Sequence, residues 1–180
     1  MVEEILAFRE VTAATWADLE RLFEARGGPS YCWCMAWRPI DAKADPAARK
    51  AAMKARVDAG TPVGLLAYQG DDPVAWCSIA PRSTYRGGMA AVPASDAAEN
   101  VWSVVCFFVV RPLRRQGVFA RLLAAAEDCA RAHGATVLEA YPVDSDSPSY
   151  RFGGFLSGFQ GFEEVGRAGT RRHVVRRRLD

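Results

Sequence analysis

Histidine is scarce in this sequence, and its cysteines show no metal-binding pattern. The two histidines, His133 and His173, lie far apart, and the five cysteines form an odd set without scaffold-like spacing. We therefore expect reduced thiols. Cys32 and Cys34 could begin a metal site, but a structural zinc needs four ligands and no second cysteine pair follows. The sequence predicts that the protein binds no metal.

Long hydrophobic runs are also missing. No apolar stretch reaches about 18 residues without a charge or a helix breaker, so we expect neither a signal peptide nor a membrane span. The composition of the 180 residues, 50% hydrophobic and 24% charged, is that of a soluble globular protein. We expect one domain over residues 1–180, a cytoplasmic location and no membrane partner, with a monomer and a homodimer both left open.

The sequence carries no large excess of charge of either sign. Its net charge is only +2, although arginines cluster near the C-terminus. No stacking aromatics accompany these arginines, and they alternate with apolar residues as the exposed positions of a last strand would. The sequence therefore predicts no nucleic-acid partner. The clustered residues are Arg171, Arg172, Arg176, Arg177 and Arg178.

What the chain does have is a strand, a basic turn and a helix in succession. Residues 101–110 are apolar, β-branched and aromatic without polar alternation, which is typical of a central strand buried on both faces. Residues 111–117 hold three arginines and end at Gly117, and a helical pattern runs from Val118 to Gly134. Free amides at a helix N-terminus bind phosphate, so this turn predicts an anion site. The alternative is an ordinary connection whose arginines are solvated.

The remaining segments predict further strands and helices around this centre. Residues 4–11 read as a strand, followed by a helix around Trp16 to Phe23, and Asp45-Pro46 begins a second helix that ends at Gly60. Residues 62–68 and 73–80 form a predicted hairpin, residues 82–100 a surface loop, and residues 136–141 a strand. A short helix and final strands complete the chain.

The turn after the central strand resembles the signature of the GCN5-related N-acetyltransferases (GNAT), Arg/Gln-x-x-Gly-x-Gly/Ala. Here the sequence reads Arg-Arg-Gln-Gly-Val-Phe over residues 114–119, so Phe119 stands where a second small residue is usual. The predicted order of elements is also similar over most of the chain. The resemblance implies an α/β (α+β) fold with a mixed, mostly antiparallel central sheet, flanked by helices and splayed between the fourth and fifth strands.

The resemblance also implies acetyl-CoA as a cosubstrate and no metal. In this family the pantetheine arm pairs with the fourth strand, here near Phe108, Val109 and Val110, and a backbone N–H near Val109 could stabilise the oxyanion. The pyrophosphate lies on the turn. The turn residues implied for it are Arg114, Arg115, Gln116, Gly117, Val118 and Phe119.

The acceptor amine must lose a proton before it attacks. An amine with a pKa near 10.4 is over three units from neutrality, which costs roughly 4–5 kcal/mol. We list four carboxylates near the predicted acceptor end as candidate bases: Glu99, Glu139, Asp144 and Asp146.

Many family members use a tyrosine after the fifth strand as the acid that protonates the leaving thiolate. We align Phe159 with that position, so the hydroxyl is missing there. Ser157, Tyr150 or solvent could replace it, or the thiolate could leave unassisted, since a thiol of pKa near 8.5 is a tolerable leaving group.

The segment from residue 31 to 38 has three large aromatics in seven residues. It follows the first helix, which borders the acceptor pocket in the GNAT fold. Tyr31, Trp33, Trp37 and Arg38 are therefore candidates for acceptor binding. These rings could equally fill the core beside the sheet.

These observations together predict an acetyl-CoA-dependent N-acetyltransferase that acts on a primary amine of a small molecule. The acceptor classes considered are an amino-sugar antibiotic, an amino acid and a polyamine, attacked directly in a ternary complex. The alternative is a non-catalytic acyl-CoA-binding or regulatory module on the same fold.

Overall fold

The central feature of the fold is one mixed sheet, seen in a computed structural model that describes residues 5–87, 99–144 and 151–180. The sheet has seven strands in the order β1-β2-β3-β4-β5-β7-β6. Its strands are β1 (Leu6–Glu10), β2 (Leu65–Gln69), β3 (Asp72–Pro81), β4 (Val101–Val109), β5 (Val137–Ala140), β6 (Glu163–Ala168) and β7 (Arg172–Arg178).

Strand pairing in the sheet is antiparallel except at one point. The pair β4 and β5 is parallel, as the connection through a helix requires. This confirms the predicted α/β fold with a mostly antiparallel sheet. β4 is apolar except for Ser103, because side chains from other elements cover it on both faces.

Three α-helices flank the sheet: α1 (Trp16–Glu24), α2 (Pro46–Asp58) and α3 (Val118–Ala132). The α3 helix packs its apolar residues, such as Leu122 and Ala126, on one face of the sheet. On the other face, α1 and α2 share a second cluster with Trp76 of β3 and Phe108 of β4. The two faces of β4 therefore belong to different cores.

Local sequence signals explain where the helices begin. The Asp45 side chain accepts a hydrogen bond from the Ala48 amide at 2.8 Å, and Pro46 occupies the first turn of α2. The residue before α3 is Gly117, which has a φ of +76° and offers no capping side chain. α3 therefore begins with its first amides uncapped by a side chain.

The segment after β5 differs from the predicted short helix. It forms two 3₁₀ turns, Arg151–Gly153 and Leu156–Gly158, before β6. Glycines at 153, 154 and 158 break the helical pattern there, because this residue type disfavours a regular helix. Within the described residues, no helix combines the length and apolar character that crossing a bilayer requires.

Candidate active site

The sheet splays where β5 leaves β4. The two strands pair only from Val101↔Val137 to Val104↔Ala140, while β4 continues to Val109. On its other side β4 stays paired with β3, with a bulge that leaves Val105 without a partner. Beyond Val104, β4 therefore has β3 on one edge and, among the described residues, no paired strand on the other. We call this unpaired edge the groove; the 3₁₀ turn Arg151–Gly153 lies near β4.

Backbone groups of β4 face this groove. The Val110 amide donates to the Val74 carbonyl at 3.0 Å, so it points toward β3. Alternate residues of a strand direct their amides to opposite neighbours, which turns the Val109 N–H toward the open side. An extended ligand arm can pair there as an added strand would.

A basic turn closes the end of the groove. Arg114 Nε donates to the Val109 carbonyl at 2.8 Å, and the Gln116 side-chain amide donates to the Pro112 carbonyl at 2.7 Å. These bonds hold the turn against the end of β4. Arg115 and Gly117 both adopt a left-handed backbone, with φ of 64° and 76°. A Cβ on Gly117 would meet nothing within 4 Å, so glycine serves the backbone angle and an open approach there.

The first amides of α3 are directed at this approach. The first intrahelical bond of α3 runs from the Arg121 amide to the Gly117 carbonyl at 3.3 Å, so the amides of Val118, Phe119 and Ala120 precede it. The helix dipole and the exposed guanidinium groups of Arg114 and Arg115 add positive charge. A diphosphate bound there would satisfy both the amides and the charge.

Phe119 does not block the turn. Its ring lies 4.5 Å from the ring of Phe107 and 5.6 Å from that of Phe159, both measured between centroids. A Cβ on Gly154 or Gly158 would collide with it at 2.9 or 2.7 Å, so these glycines make room for the ring. The side chain that departs from the family signature is therefore packed in an aromatic cluster on the α3 face.

A cavity of about 230 Å³ lies on the opposite face, beside the part of β4 that β5 no longer covers. Its described lining is mostly apolar, and the one charged residue in it is Arg172 of β7. The other lining residues are Phe23, Pro29, Tyr31, Cys32, Cys34, Ala36, Trp37, Trp76, Cys106, Phe108 and Phe152. This position suits an acceptor that approaches a thioester held along β4.

The aromatic segment divides between this cavity and the core. Tyr31 is 57% exposed and lines the cavity together with Trp37. The Trp37 ring stacks on Tyr141 at 5.6 Å and carries the Arg172 guanidinium 4.9 Å from its centroid, with Arg86 at 5.7 Å. Cations thus lie beside the aromatic wall.

Trp33 and Arg38, predicted for the same pocket, are placed in the core. Trp33 is 2% exposed and packs between Trp16 and Phe23. Arg38 is also 2% exposed and donates to the Val63 carbonyl at 2.9 Å. Neither residue lines the cavity.

Glu139 lies in a buried ion network. Its side chain is fully buried, accepts from Arg176 Nε at 2.8 Å and lies 3.4 Å from Arg82 Nε. The Tyr141 hydroxyl also donates to it. Burial, reinforced by the charge of Glu139, raises the pKa of Tyr141. The carboxylate is held by these groups, and Glu139 does not line the cavity.

Glu99 precedes β4 and lies at its far end. Its carboxylate is within 3.7 Å of Arg176 and 3.5 Å of Arg178. The nine residues of β4 separate it from the turn by about 30 Å at 3.3 Å per residue. The structure therefore does not bring Glu99 to the groove.

Asp144 contacts His173, not the cavity. Its Oδ1 lies 2.9 Å from His173 Nε2, and Glu164 Oε1 lies 2.9 Å from His173 Nδ1. His173 follows Arg172 on β7, and alternate strand residues face opposite sides of a sheet. Since Arg172 faces the cavity, His173 and its carboxylates lie across the sheet from it.

Of the two side chains that are candidates for protonating the leaving thiolate, the structure describes Ser157. Ser157 is exposed on the second 3₁₀ turn, and Phe159 beside it is 3% exposed, with its ring in the aromatic cluster. Tyr150 and Asp146 lie outside the described residues.

Three groups in the structure were not predicted as functional. Arg172 was interpreted only as an exposed strand residue, yet it lines the cavity, and so do the thiols of Cys34 and Cys106. The alternation of apolar and basic residues in β7 could have placed Arg172 on a sheet face. Nothing in the sequence brings Cys34 next to Cys106.

A separate cluster joins β1 to the end of α3. The ligand atoms of Glu10, Cys129 and His133 lie within 4.8 Å of one another, and His133 Nε2 is 3.0 Å from the Glu10 carboxylate. Burial, followed by the neighbouring Glu10 charge, raises the pKa of the Cys129 thiol to about 12. The 15 residues of α3 separate this cluster from the turn by about 22 Å. It takes no part in the groove.

A splayed parallel pair, a basic glycine turn and an uncapped helix together define an acyl-CoA-dependent transferase. Residues 16–153 match the model of the acetyltransferase (GNAT) family. The chain therefore belongs to the GNAT family, which makes it an acyltransferase that uses acetyl-CoA as cosubstrate and needs no metal for the reaction. Among the curated proteins, none matches this sequence.

Solved structures of acetyltransferases share the fold. YncA of Salmonella typhimurium, solved with its cofactor acetyl-CoA, is 19% identical with a TM-score of 0.55, and the match covers 97% of this chain and 94% of that one. PaiA N-acetyltransferase of Thermoplasma acidophilum, in complex with coenzyme A, is 10% identical with a TM-score of 0.58 over 97% and 99% of the two chains.

A third similar structure is the ribosomal-protein-S5-alanine acetyltransferase of Vibrio fischeri. It is 11% identical to this chain, with a TM-score of 0.59 over 100% of this chain and 96% of that one. At these identities the likeness concerns the fold.

Proposed function

We propose that the protein transfers the acetyl group of acetyl-CoA to a primary amine of a small molecule, by direct attack within a ternary complex. The observation that carries this proposal is the open edge of β4 beyond Val104, with the uncapped α3 N-terminus at its end and the cavity on the opposite face. Cofactor and acceptor can therefore approach the same point from two sides.

The cofactor follows the groove. Its diphosphate lies on the amides of Val118, Phe119 and Ala120, and its pantetheine arm pairs with β4 near Val109. The Val109 N–H is turned toward the groove, where it stabilises the oxyanion that forms when the amine attacks the carbonyl.

The cavity favours an amino acid among the three acceptor classes. Its volume of about 230 Å³ is below the 300–1,000 Å³ typical of sites for drug-sized ligands, which favours a small acceptor. Apolar walls suit an apolar side chain, and Arg172 suits a carboxylate. A polyamine or an amino sugar would bring several positive charges against Arg172 and Arg86.

Water, or a residue outside the described part of the chain, removes the proton from the acceptor amine. None of the described residues that line the cavity is a carboxylate. Asp146 as base and Tyr150 as the acid for the thiolate remain the candidates of this proposal. Asp146→Asn and Tyr150→Phe are expected to lower kcat without changing the affinity for CoA.

A steady-state thiol-release assay tests the proposal. Leucine, methionine and phenylalanine are compared as acceptors with spermidine and an amino sugar, at saturating acetyl-CoA. We expect the highest kcat/KM with the apolar amino acids, and a loss of this preference in Arg172→Leu. Tight CoA binding without turnover on any amine would instead support a non-catalytic module.

Cellular location is part of the same proposal. We place the protein in the cytoplasm, which fractionation of the producing cells would test.

A further inference from the structure

Cysteine thiols form part of the acceptor cavity wall. Cys34 comes from the aromatic segment and Cys106 from β4, directly after the bulge at Val105. The side chain of each cysteine shifts the pKa of the other, so the two side chains are neighbours. Both are free thiols, and Cys106 is the less buried of the two. Two segments that are distant in sequence thus each place a cysteine in the wall of the same cavity.

A buried arginine contacts the residue that carries one of these thiols. Arg38 donates to three neutral oxygens, the Cys34 carbonyl at 2.6 Å, the Val63 carbonyl at 2.9 Å and Ser78 Oγ at 3.0 Å. Among the residues that the structure describes, no carboxylate forms an ion pair with it. A buried charge is costly unless an opposite charge lies near it. The Cys34 thiolate is the anion that can balance Arg38.

The two thiols differ in acidity. The neighbouring Cys106 side chain, with the positive charge of Arg38 adding to its effect, lowers the pKa of Cys34 against the opposing effect of burial. The neighbouring Cys34 side chain, together with burial, raises the pKa of Cys106. Cys34 is therefore the more acidic thiol, which suits the attacking role in thiol–disulfide exchange.

The backbone supports a special role for Cys34. Trp33 and Cys34 both have positive φ, 49° and 52°, in a region that residues other than glycine rarely adopt. Strained backbone of this kind concentrates at functional sites. Here it directs the Cys34 thiol toward β4.

We propose that Cys34 and Cys106 form a thiol–disulfide exchange site, which a small-molecule disulfide oxidises to an internal disulfide that closes the acceptor cavity. The effect on turnover rests on the proposed acceptor site. The oxidation itself does not, because it is a property of the two thiols.

The exchange proceeds in two displacements. The Cys34 thiolate attacks one sulfur of the disulfide RSSR, the S–S bond breaks, and RS⁻ leaves behind a mixed disulfide on Cys34. Cys106 then loses its proton and attacks the Cys34 sulfur, and a second RS⁻ leaves. Two protein thiols are oxidised, RSSR is reduced to two RSH, and the two protons from Cys34 and Cys106 end on the released thiols.

The new bond would change the cavity. It brings the two sulfurs to about 2.05 Å and ties the aromatic segment to β4. Both residues line the acceptor side, whereas the turn at Gly117 lies at the end of the groove. Acceptor binding should therefore be lost while CoA binding is kept.

The test treats the reduced protein with glutathione disulfide. Intact mass should show the loss of two hydrogen atoms, the free thiols should fall from the five of the sequence by two, and peptide mapping should link Cys34 to Cys106. Turnover should be lost and CoA affinity retained, with recovery on adding dithiothreitol. Cys34→Ser and Cys106→Ser should abolish the linkage, and the matched control Cys129→Ser should keep it.

Four results separate the outcomes. A linked peptide with reversible loss of turnover supports the proposal. Five thiols that stay free, or a linkage between other cysteines, overturns it. A Cys34–Cys106 disulfide that leaves turnover unchanged overturns the closure of the cavity. If the reduced protein acetylates no amine, the proposed acceptor fails, while mass and mapping still decide on the thiol pair.

Discussion

Replacing Gly117 with alanine should weaken CoA binding more than it weakens the fold. Gly117 has a φ of +76° and free space around a Cβ, so the substitution costs about 1–2 kcal/mol of backbone strain without a clash. The new methyl group lies where the phosphate approaches the first amides of α3. Displacing one charge-assisted hydrogen bond costs about 1.5–3 kcal/mol, which is roughly a 10- to 150-fold increase in Kd.

Gly134 provides a matched control at the other end of the same helix. Its φ is +77°, and a Cβ there also meets nothing within 4 Å. Gly134→Ala should therefore lose about the same 1–2 kcal/mol of stability while binding CoA like the parent protein. Urea denaturation measures the strain in both variants, and isothermal titration calorimetry measures the Kd of CoA. Equal CoA affinity in Gly117→Ala and Gly134→Ala would refute the assignment of the diphosphate to this turn.

Four further predictions concern the acceptor side and the core. Trp37→Ala should raise the acceptor KM and leave the KM of acetyl-CoA unchanged. Trp33→Ala should instead lower the free energy of unfolding in urea by about 3–5 kcal/mol, because it empties a core position. An equal loss of stability in both variants would place Trp37 in the core as well. Below the pKa of the acceptor amine, kcat/KM for the acceptor should rise about tenfold per pH unit, because only the neutral amine attacks. A kcat/KM that stays constant over this range would contradict attack by the neutral amine. Glu139→Gln should lower the free energy of unfolding by about 3–5 kcal/mol, since it leaves Arg176 and Arg82 without their shared anion; an unchanged urea midpoint would contradict the network. A chelator should leave turnover unchanged, because the cluster at Glu10 lies far from the groove; inhibition that zinc reverses would show that a metal is required.

The turn could be predicted from sequence because its signals are local. A buried strand, a proline and glycine break, three arginines and a helical period all lie within 101–134, and the structure shows the strand, the turn and α3 in that order. The family, the sheet type and the cosubstrate follow from the same stretch, and these predictions are confirmed. The position of Phe119 was not predictable, because its ring packs against residues from β4 and from the segment after β5.

The residues on the acceptor side are brought together by long-range contacts, which the hydrophobic periodicity of the sequence does not reveal. Positive φ at Trp33 and Cys34 breaks any regular pattern, so the sequence could not tell which ring faces the cavity and which faces the core. Glu99 and Glu139 were chosen for their positions beside strands β4 and β5. Glu99 lies at the end of β4 that is remote from the turn, and the Glu139 carboxylate pairs with arginines from elsewhere in the chain.

A crystal structure of the protein with bound CoA tests the central claim most directly. The account predicts diphosphate oxygens within hydrogen-bond distance of the amides of Val118 to Ala120, and a pantetheine arm along β4 that ends beside Val109. A cofactor bound away from this turn, with the edge of β4 beyond Val104 covered by side chains, would contradict it.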